Sequence, residues 1–468
     1  MSSSAGRRAA FFTGAQDRGY LILMERNLTE GSVFKNIVSF SIPYLLSYFL
    51  QTLYGMADLF VIGQFNGVES TTAVSIGSQI MHMLTAMLVG LAMGSTVIIG
   101  RSVGAGDRKQ AAHEAGSTVT MFMALSFVLA ALLYALTGNI VSLVSTPADA
   151  VPSTLSYLKI CFLGIPAITA YNIISSILRA KGDSKSPMYF VAVACAANIA
   201  LDYLFIGGMH MGAAGAALGT TLAQTFSVIV SLVTLRRMKN GLGVVRSDLM
   251  PRRDIIGRIL RIGVPVALQD GFIQIAFIVI TVIANLRGLN DAAAVGIVEK
   301  MICIIFLVPS SMLSAVSVIS SQNIGAGKPD RARQTLLHTI LIVISYGAVM
   351  AVVMQILAEP AVGLFTGNAD VIRLGGEYLR SYIWDSIFAG VHFCFSGYFC
   401  ACGLSIISFL HNVISMVFAR VPLAYLASVY FPDTLFPMGL AAPAGSLLSI
   451  AICLAAYYML CRPKDGSR

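Results

Sequence analysis

Long apolar stretches alternate along the chain with short breaks rich in charge, Gly or Pro. Twelve such stretches run over approximately 34–63, 73–100, 115–137, 154–178, 187–206, 213–235, 259–286, 292–319, 335–357, 375–399, 406–430 and 439–461. Helix rises about 1.5 Å per residue, so roughly 20 apolar residues cross the hydrocarbon of a bilayer. The pattern predicts an all-α polytopic membrane protein with twelve transmembrane helices. It excludes a porin-type barrel, whose strands would alternate apolar and polar positions over about 10 residues.

Composition sharpens this. Of 468 residues 57% are hydrophobic and 11% charged, whereas soluble domains carry about 25% charged residues. A soluble enzyme or secreted domain is thereby excluded. The net charge of +9 is a matter of placement. Of 31 Lys and Arg, 23 fall in alternate connections, the N-terminal tail, the loops after spans two, four, six and eight, and the C-terminal tail, and Lys35 and Arg261 lie just inside the spans beside them. Basic loops stay in the cytoplasm, so both termini are expected there, with an even number of spans in the cell membrane. The loop after span ten, near Gly403, carries no basic residue. Such a distribution suits contact with anionic membrane lipids and predicts no nucleic-acid partner.

Residues 1–33 hold Arg7, Arg8, Arg18 and Arg26 without a signal-peptide core, and read as a cytoplasmic tail with an amphipathic stretch at Tyr20–Met24. The basic linker 236–258 divides an N-lobe, 34–235, from a C-lobe, 259–461, with a tail at 462–468. The lobes repeat one another. Pro43 matches Pro265 at an offset of 222, and Gly104-Ala105-Gly106 matches Gly325-Ala326-Gly327 at 221. Six spans per half make the repeats parallel, related by an axis along the membrane normal, around a central cavity. That is transporter architecture.

Five acidic residues lie inside spans: Asp58 and Asp202 in the first half, and Asp270, Glu299 and Asp385 in the second. Each costs at least ~2.5–3.5 kcal/mol to insert. None has an acidic counterpart in the other repeat, so the scaffold is duplicated and the carboxylates are not. Counting residues from the cytoplasmic entry places Asp58, Asp202, Asn198 and Thr220 at one depth in the outer half. Such a cluster can exchange a proton or gather oxygens around Na⁺, with Asp58 and Asp202 as candidate Na⁺ ligands. The competing reading is that these groups tie helices together. In the second half Asp270, Glu299 and Asp385 can attract a cationic substrate beside Met301 and Met312, or form ion pairs with Arg420 or Lys300. Both readings stay open. Lys159 and Arg380 are expected to snorkel, and the six histidines to pack. The eight cysteines show neither a disulfide framework nor metal-ligand spacing. Walker A, H-E-x-x-H and G-x-S-x-G motifs are absent, so no enzyme activity and no cofactor are expected, and an ion gradient is the energy source.

Several segments resemble the MATE (multidrug and toxin extrusion) family. They are Ile99-Gly100-Arg101-Ser102-Val103-Gly104-Ala105-Gly106-Asp107, Gln322-Asn323-Ile324-Gly325-Ala326-Gly327 and Ile177-Leu178-Arg179-Ala180-Lys181-Gly182-Asp183-Ser184-Lys185-Ser186-Pro187. Met56-Ala57-Asp58 and Asn198-Ile199-Ala200-Leu201-Asp202 resemble its prokaryotic, DinF-like branch. The resemblance implies a two-lobe antiporter that exports amphipathic, often cationic small molecules in exchange for H⁺ or Na⁺, without an obligatory protein partner. It places the N-lobe coupling site on Asp58, Asn172, Asn198, Asp202 and Thr220. The depth count puts Asn172 nearer the cytoplasm, which requires span four to tilt or bend. A lipid-linked precursor flippase of the same superfamily is the alternative.

Overall fold

A computed structural model describes residues 27–237 and 244–461, and its regular elements there are all helical. The stretch Tyr20–Met24 and the tail 462–468 lie outside the described residues. The first lobe contains α1 (Val33–Phe65), α2 (Val68–Gly104), α3 (Arg108–Ala135), the two-part α4 (Ala148–Leu163 and Ile165–Ala180), α5 (Lys185–Gly208) and α6 (Gly212–Arg237). The second contains α7 (Arg253–Arg287), α8 (Leu289–Gly325), α9 (Pro329–Gly363), the two-part α10 (Ala369–Tyr382 and Asp385–Cys402), α11 (Ser405–Tyr430) and α12 (Phe436–Leu460). Ten of these are individually long and apolar enough to cross a membrane, and α4 makes an eleventh. The first half of α10 carries Asp370, Arg373, Glu377 and Arg380, which makes it the most polar of the twelve.

The breaks are shared between the repeats. Helix α4 bends by 46° at Gly164, where Pro166 lacks the N–H that would continue the ladder. Helix α10 breaks at Ile383–Trp384, the equivalent place. Helices α5 and α11 each contain a π-helical segment, Tyr203–Gly208 and Met416–Arg420. The hydrophobic period shows neither, because a π turn adds one residue without changing composition.

One end of the bundle gathers the first and last of the described residues. Lys328 Nζ donates to the Thr29 carbonyl at 3.0 Å, Arg331 Nη1 to that of Gly31 at 3.0 Å, and Arg333 Nη2 to that of Cys461 at 3.2 Å. At this basic end apolar clusters join the lobes: Ile37, Phe40 and Tyr44 of α1 pack with Met312, Ala315 and Ile319 of α8. Val97 and Ile99 of α2 join the cluster of Ile255, Ile259 and Ile262 of α7. The clusters toward the opposite end each belong to one lobe. Packing between the lobes is therefore concentrated at the basic end.

The paired glycine motifs explain how that closure is made. A Cβ on Gly104 would strike the Gln322 carbonyl, and one on Gly325 would strike the Arg101 carbonyl. Two helix ends related by the repeat thus cross backbone to backbone, which only glycine permits. Arg101 then reaches across the lobes, with Nε and Nη2 donating to the Ala401 carbonyl at 3.0 and 2.5 Å. The loop after α10, which lacks basic residues of its own, takes its cation from the other lobe.

Candidate functional site

In the N-lobe, α1 supplies Asp58, α5 supplies Asn198 and Asp202, and α6 supplies Thr220. Asn198 and Asp202 lie one turn apart on one helical face, and Asp202 stands at the entry to the π segment. Asp58, Asn198 and Asp202 are 4%, 2% and 0% exposed. Thr220 Oγ1 donates to Asp58 Oδ2 at 3.0 Å, and Asn198 Nδ2 lies 3.5 Å from Thr220 Oγ1. The Asp58 carboxyl also faces Asn198 and Asp202. Gly219 leaves the room: a Cβ there would collide with Asp202 Oδ1. Sequence reasoning expected Asp58, Asn198, Asp202 and Thr220 together, and the fold brings the four together.

Hydrogen-bond accounting shows what the cluster lacks. Asp58 Oδ1, Asn198 Oδ1, both Asp202 oxygens and the nearby Gln224 Oε1 are buried without a partner among the described residues. Tyr54 and Gln224 line a cleft beside Asn198 and Thr220. The pocket is rich in acceptors and short of donors, which is the arrangement that takes up a cation. Carboxylate, amide and hydroxyl oxygens suit H⁺ or a hard cation such as Na⁺. Among the described residues no group of three or more His, Cys, Asp or Glu could hold a metal ion. Asn172 makes its hydrogen bond within its own helix. Helix α4 does bend, yet the Asn172 amide donates to the Ile168 carbonyl one turn back at 2.9 Å, and no hydrogen bond among the described residues links it to Asp58.

The C-lobe is built differently. Arg420, the last residue of the α11 π segment, lies with its guanidinium 4.8 Å from the Phe277 ring and 5.5 Å from that of Tyr382, whose hydroxyl it also bonds. Glu299 accepts from Thr281 at 3.4 Å, and Asp385 is 1% exposed. Both carboxylates feel the guanidinium, but neither closes on it as an ion pair among the described residues. Aromatic stacking holds Arg420, for which direct ion pairing was one of two open readings. Lys300 is exposed and Asp270 stands apart, on the face of α7 opposite Gly90 of α2. Arg380, expected to snorkel, pairs with the partly exposed Glu359 side chain at 3.0 Å.

Sequence reasoning missed two residues. Arg179, counted as a loop charge, lines a cavity between the lobes with Tyr44, Met93, Thr96, Ser176 and Ser314, its guanidinium 4.9 Å from the Tyr44 ring. The polar spacing Asn172, Ser175, Ser176, Arg179 along one face of α4 was the available signal. Glu114 of α3 is fully buried and holds Ser102 at 2.7 Å and Arg258 at 3.3 Å.

Comparison with known proteins fits this architecture. The MatE family model matches twice, over residues 43–204 and 265–426, at the 222-residue offset of the internal repeat. The chain is 30% identical to "Probable multidrug resistance protein YpnP" of Bacillus subtilis (strain 168), across 86% of this chain and 90% of that protein. It is 26% identical to "Probable multidrug resistance protein YoeA" of the same organism, across 95% of this chain and 98% of that protein. Among solved structures, one described as the outward-facing conformation of a multidrug resistance MATE family transporter of the MOP superfamily superposes with a TM-score of 0.87. That match covers 93% of this chain and 97% of the other at 22% identity, and it shows the fold. Two matched repeats, twelve helices in two lobes and relatives spanning nearly the whole chain lead to one conclusion: this chain is a membrane transporter, not an enzyme, and belongs to the MatE family.

Proposed function

We propose that this transporter is a secondary antiporter of the cell membrane, with both termini cytoplasmic, that exports amphipathic, often cationic compounds in exchange for H⁺ or Na⁺. The observation that carries the reading is the set of unpartnered buried oxygens on Asp58, Asn198 and Asp202. A buried acceptor without a donor costs about 1–3 kcal/mol, more when charged, and a coupling ion removes that cost. Binding of the ion to one lobe arrangement better than to the other is what ties its gradient to the rocking of the lobes. Substrate and ion compete for Asp58 and Asp202, and the lobe contact at the basic end opens and closes in alternation with the other end. The relatives' description as multidrug resistance proteins supports the export of varied small molecules.

The test is ethidium movement into everted vesicles carrying the wild type or Asp202→Asn, under an imposed pH gradient, an imposed Na⁺ gradient, or neither. Gradient-dependent uptake that the substitution abolishes supports cation antiport, and the effective gradient names the ion. Absence of gradient-dependent movement with folded protein overturns it and returns the lipid-linked precursor flippase to consideration.

A further inference from the structure

Histidine packing in the C-lobe leaves one nitrogen with a lone pair and nothing to bond. His392 of α10 and His411 of α11 meet edge to face, ring centroids 5.5 Å apart, and are 5% and 0% exposed. Hydrogen-bond arithmetic fixes the tautomer of each. Ser449 Oγ donates to the His411 carbonyl at 3.1 Å, so it accepts from His411 Nδ1 at 3.3 Å. Nε2 of His411 is then the lone-pair nitrogen, and it accepts from Ser396 Oγ at 2.9 Å and Asn412 Nδ2 at 3.5 Å. His411 is satisfied as a neutral ring.

His392 is not. Its Nε2 lies 3.3 Å from Ser446 Oγ, and the Ser446 hydroxyl also faces Asp385. An ionised carboxylate only accepts, so the serine hydrogen goes to Asp385 and Ser446 Oγ accepts from His392 Nε2–H. The lone pair therefore sits on Nδ1, which is buried and unpartnered among the described residues, as is Asp385 Oδ1. Asp385, Ser446 and His392 form a chain with a vacant base at one end and a carboxylate at the other.

We propose that His392 Nδ1 is a proton-binding site of the C-lobe, with Asp385 as its counter-charge through Ser446. The inference extends the ion-coupling reading to the second lobe, and its chemistry stands whether or not the N-lobe ion proves to be H⁺. The charged and titratable groups facing His392 are His411 and Arg420 of α11 and, through Ser446, Asp385 of its own helix; α12 presents the Ser446 hydroxyl. Arg420 rests on Phe277 and Tyr382 without closing on Asp385. An imidazolium at His392 and the Arg420 guanidinium thus compete for one carboxylate, which ties proton occupancy to the position of Arg420.

The experiment is a pH titration of ¹⁵N-histidine-labelled full-length protein in detergent, with the His392 resonance assigned from His392→Gln. The expected result is a neutral ring with Nδ1 unprotonated that gains a second proton as the pH is lowered. Ser446→Ala and Asp385→Asn, each checked for folding by thermal unfolding, should lose that titration, while Ser449→Ala, which touches His411, should keep it. A wild-type His392 that stays neutral throughout, or titrates identically in Ser446→Ala and Asp385→Asn, overturns the proposal. Because the readout is protonation rather than transport, failure of antiport in vesicles and failure of this site are separate outcomes.

Discussion

In the N-lobe two carboxylates, Asp58 and Asp202, share a pocket with an amide and a hydroxyl, and no basic side chain among the described residues pairs with them. In the C-lobe two carboxylates, Glu299 and Asp385, flank a buried guanidinium held by two aromatic rings. The helices are the same six in the same order, with breaks in equivalent places, yet no basic side chain among the described residues pairs with the N-lobe carboxylates, whereas Arg420 stands between those of the C-lobe. A site that lacks its counter-ion must take it from solution, and one that carries it need not. The duplicated fold therefore supports two unlike tasks: loading of an ion in the N-lobe, and positioning of substrate or of Arg420 in the C-lobe.

The largest effect expected from this difference is on transport. Asp202→Asn should reduce gradient-driven ethidium uptake to the level of empty vesicles, a loss of tenfold or more for a coupling free energy above about 1.4 kcal/mol. Asp385→Asn should leave a measurable fraction of it. The reverse ranking would break the assignment of ion loading to the N-lobe.

Stability should rank the lobes the other way. Arg420→Met strands Glu299 and Asp385 in a buried site without their cation, and removal of one partner of a buried charge group costs about 3–5 kcal/mol. A clear fall in the thermal unfolding midpoint in detergent is expected, partly rescued by adding Glu299→Gln. Asp58→Asn removes a charge that no described cation balances, so it should unfold no earlier than the wild type. Equal destabilisation by both would show that the N-lobe has a hidden counter-charge.

A smaller effect concerns the joint between the lobes. Arg101→Gln removes the two charge-assisted bonds to the Ala401 carbonyl, each worth about 1.5–3 kcal/mol, and should raise the population open at the basic end. Spin labels at Lys109→Cys and Asp330→Cys, both exposed, would read this as a longer distance component. An unchanged distribution would mean that the Gly104 and Gly325 crossing holds the closure alone.

Much of this was legible in the sequence because it depends on composition and period. Twelve apolar runs, the repeat and the Gly-Ala-Gly pair announced the lobes, and the one-turn spacing of Asn198 and Asp202 announced half of the N-lobe site. What stayed hidden depends on helix irregularity and on rotation about helix axes. The π segment that presents Arg420 leaves no compositional trace. Arg179 lies in the last turn of α4 and reads as a loop charge until the other lobe is placed against it. His392 and His411 are 19 residues apart in sequence and become a pair only when α10 packs on α11. Asn172 entered the proposed cluster by motif match alone, and no hydrogen bond among the described residues joins it to Asp58.

The smallest effect can tell the two coupling ions apart. Thr220 Oγ1 is the hydroxyl that donates to Asp58, and Thr220→Ala removes it with little change of volume. One hydrogen bond is worth about 1 kcal/mol, or roughly fivefold in an affinity. If Na⁺ is the ion, an oxygen ligand is lost, and the Na⁺ concentration for half-maximal uptake should rise by about that factor. If H⁺ is the ion, the ionised carboxylate has lost a donor that stabilised it, so half-maximal uptake should come at a lower proton concentration. Thr281→Ala, which removes the equivalent donor to Glu299 in the C-lobe, should move neither. A shift of equal size from both substitutions would mean that the two lobes load the same ion, and the division of labour drawn from their charge balance would fall.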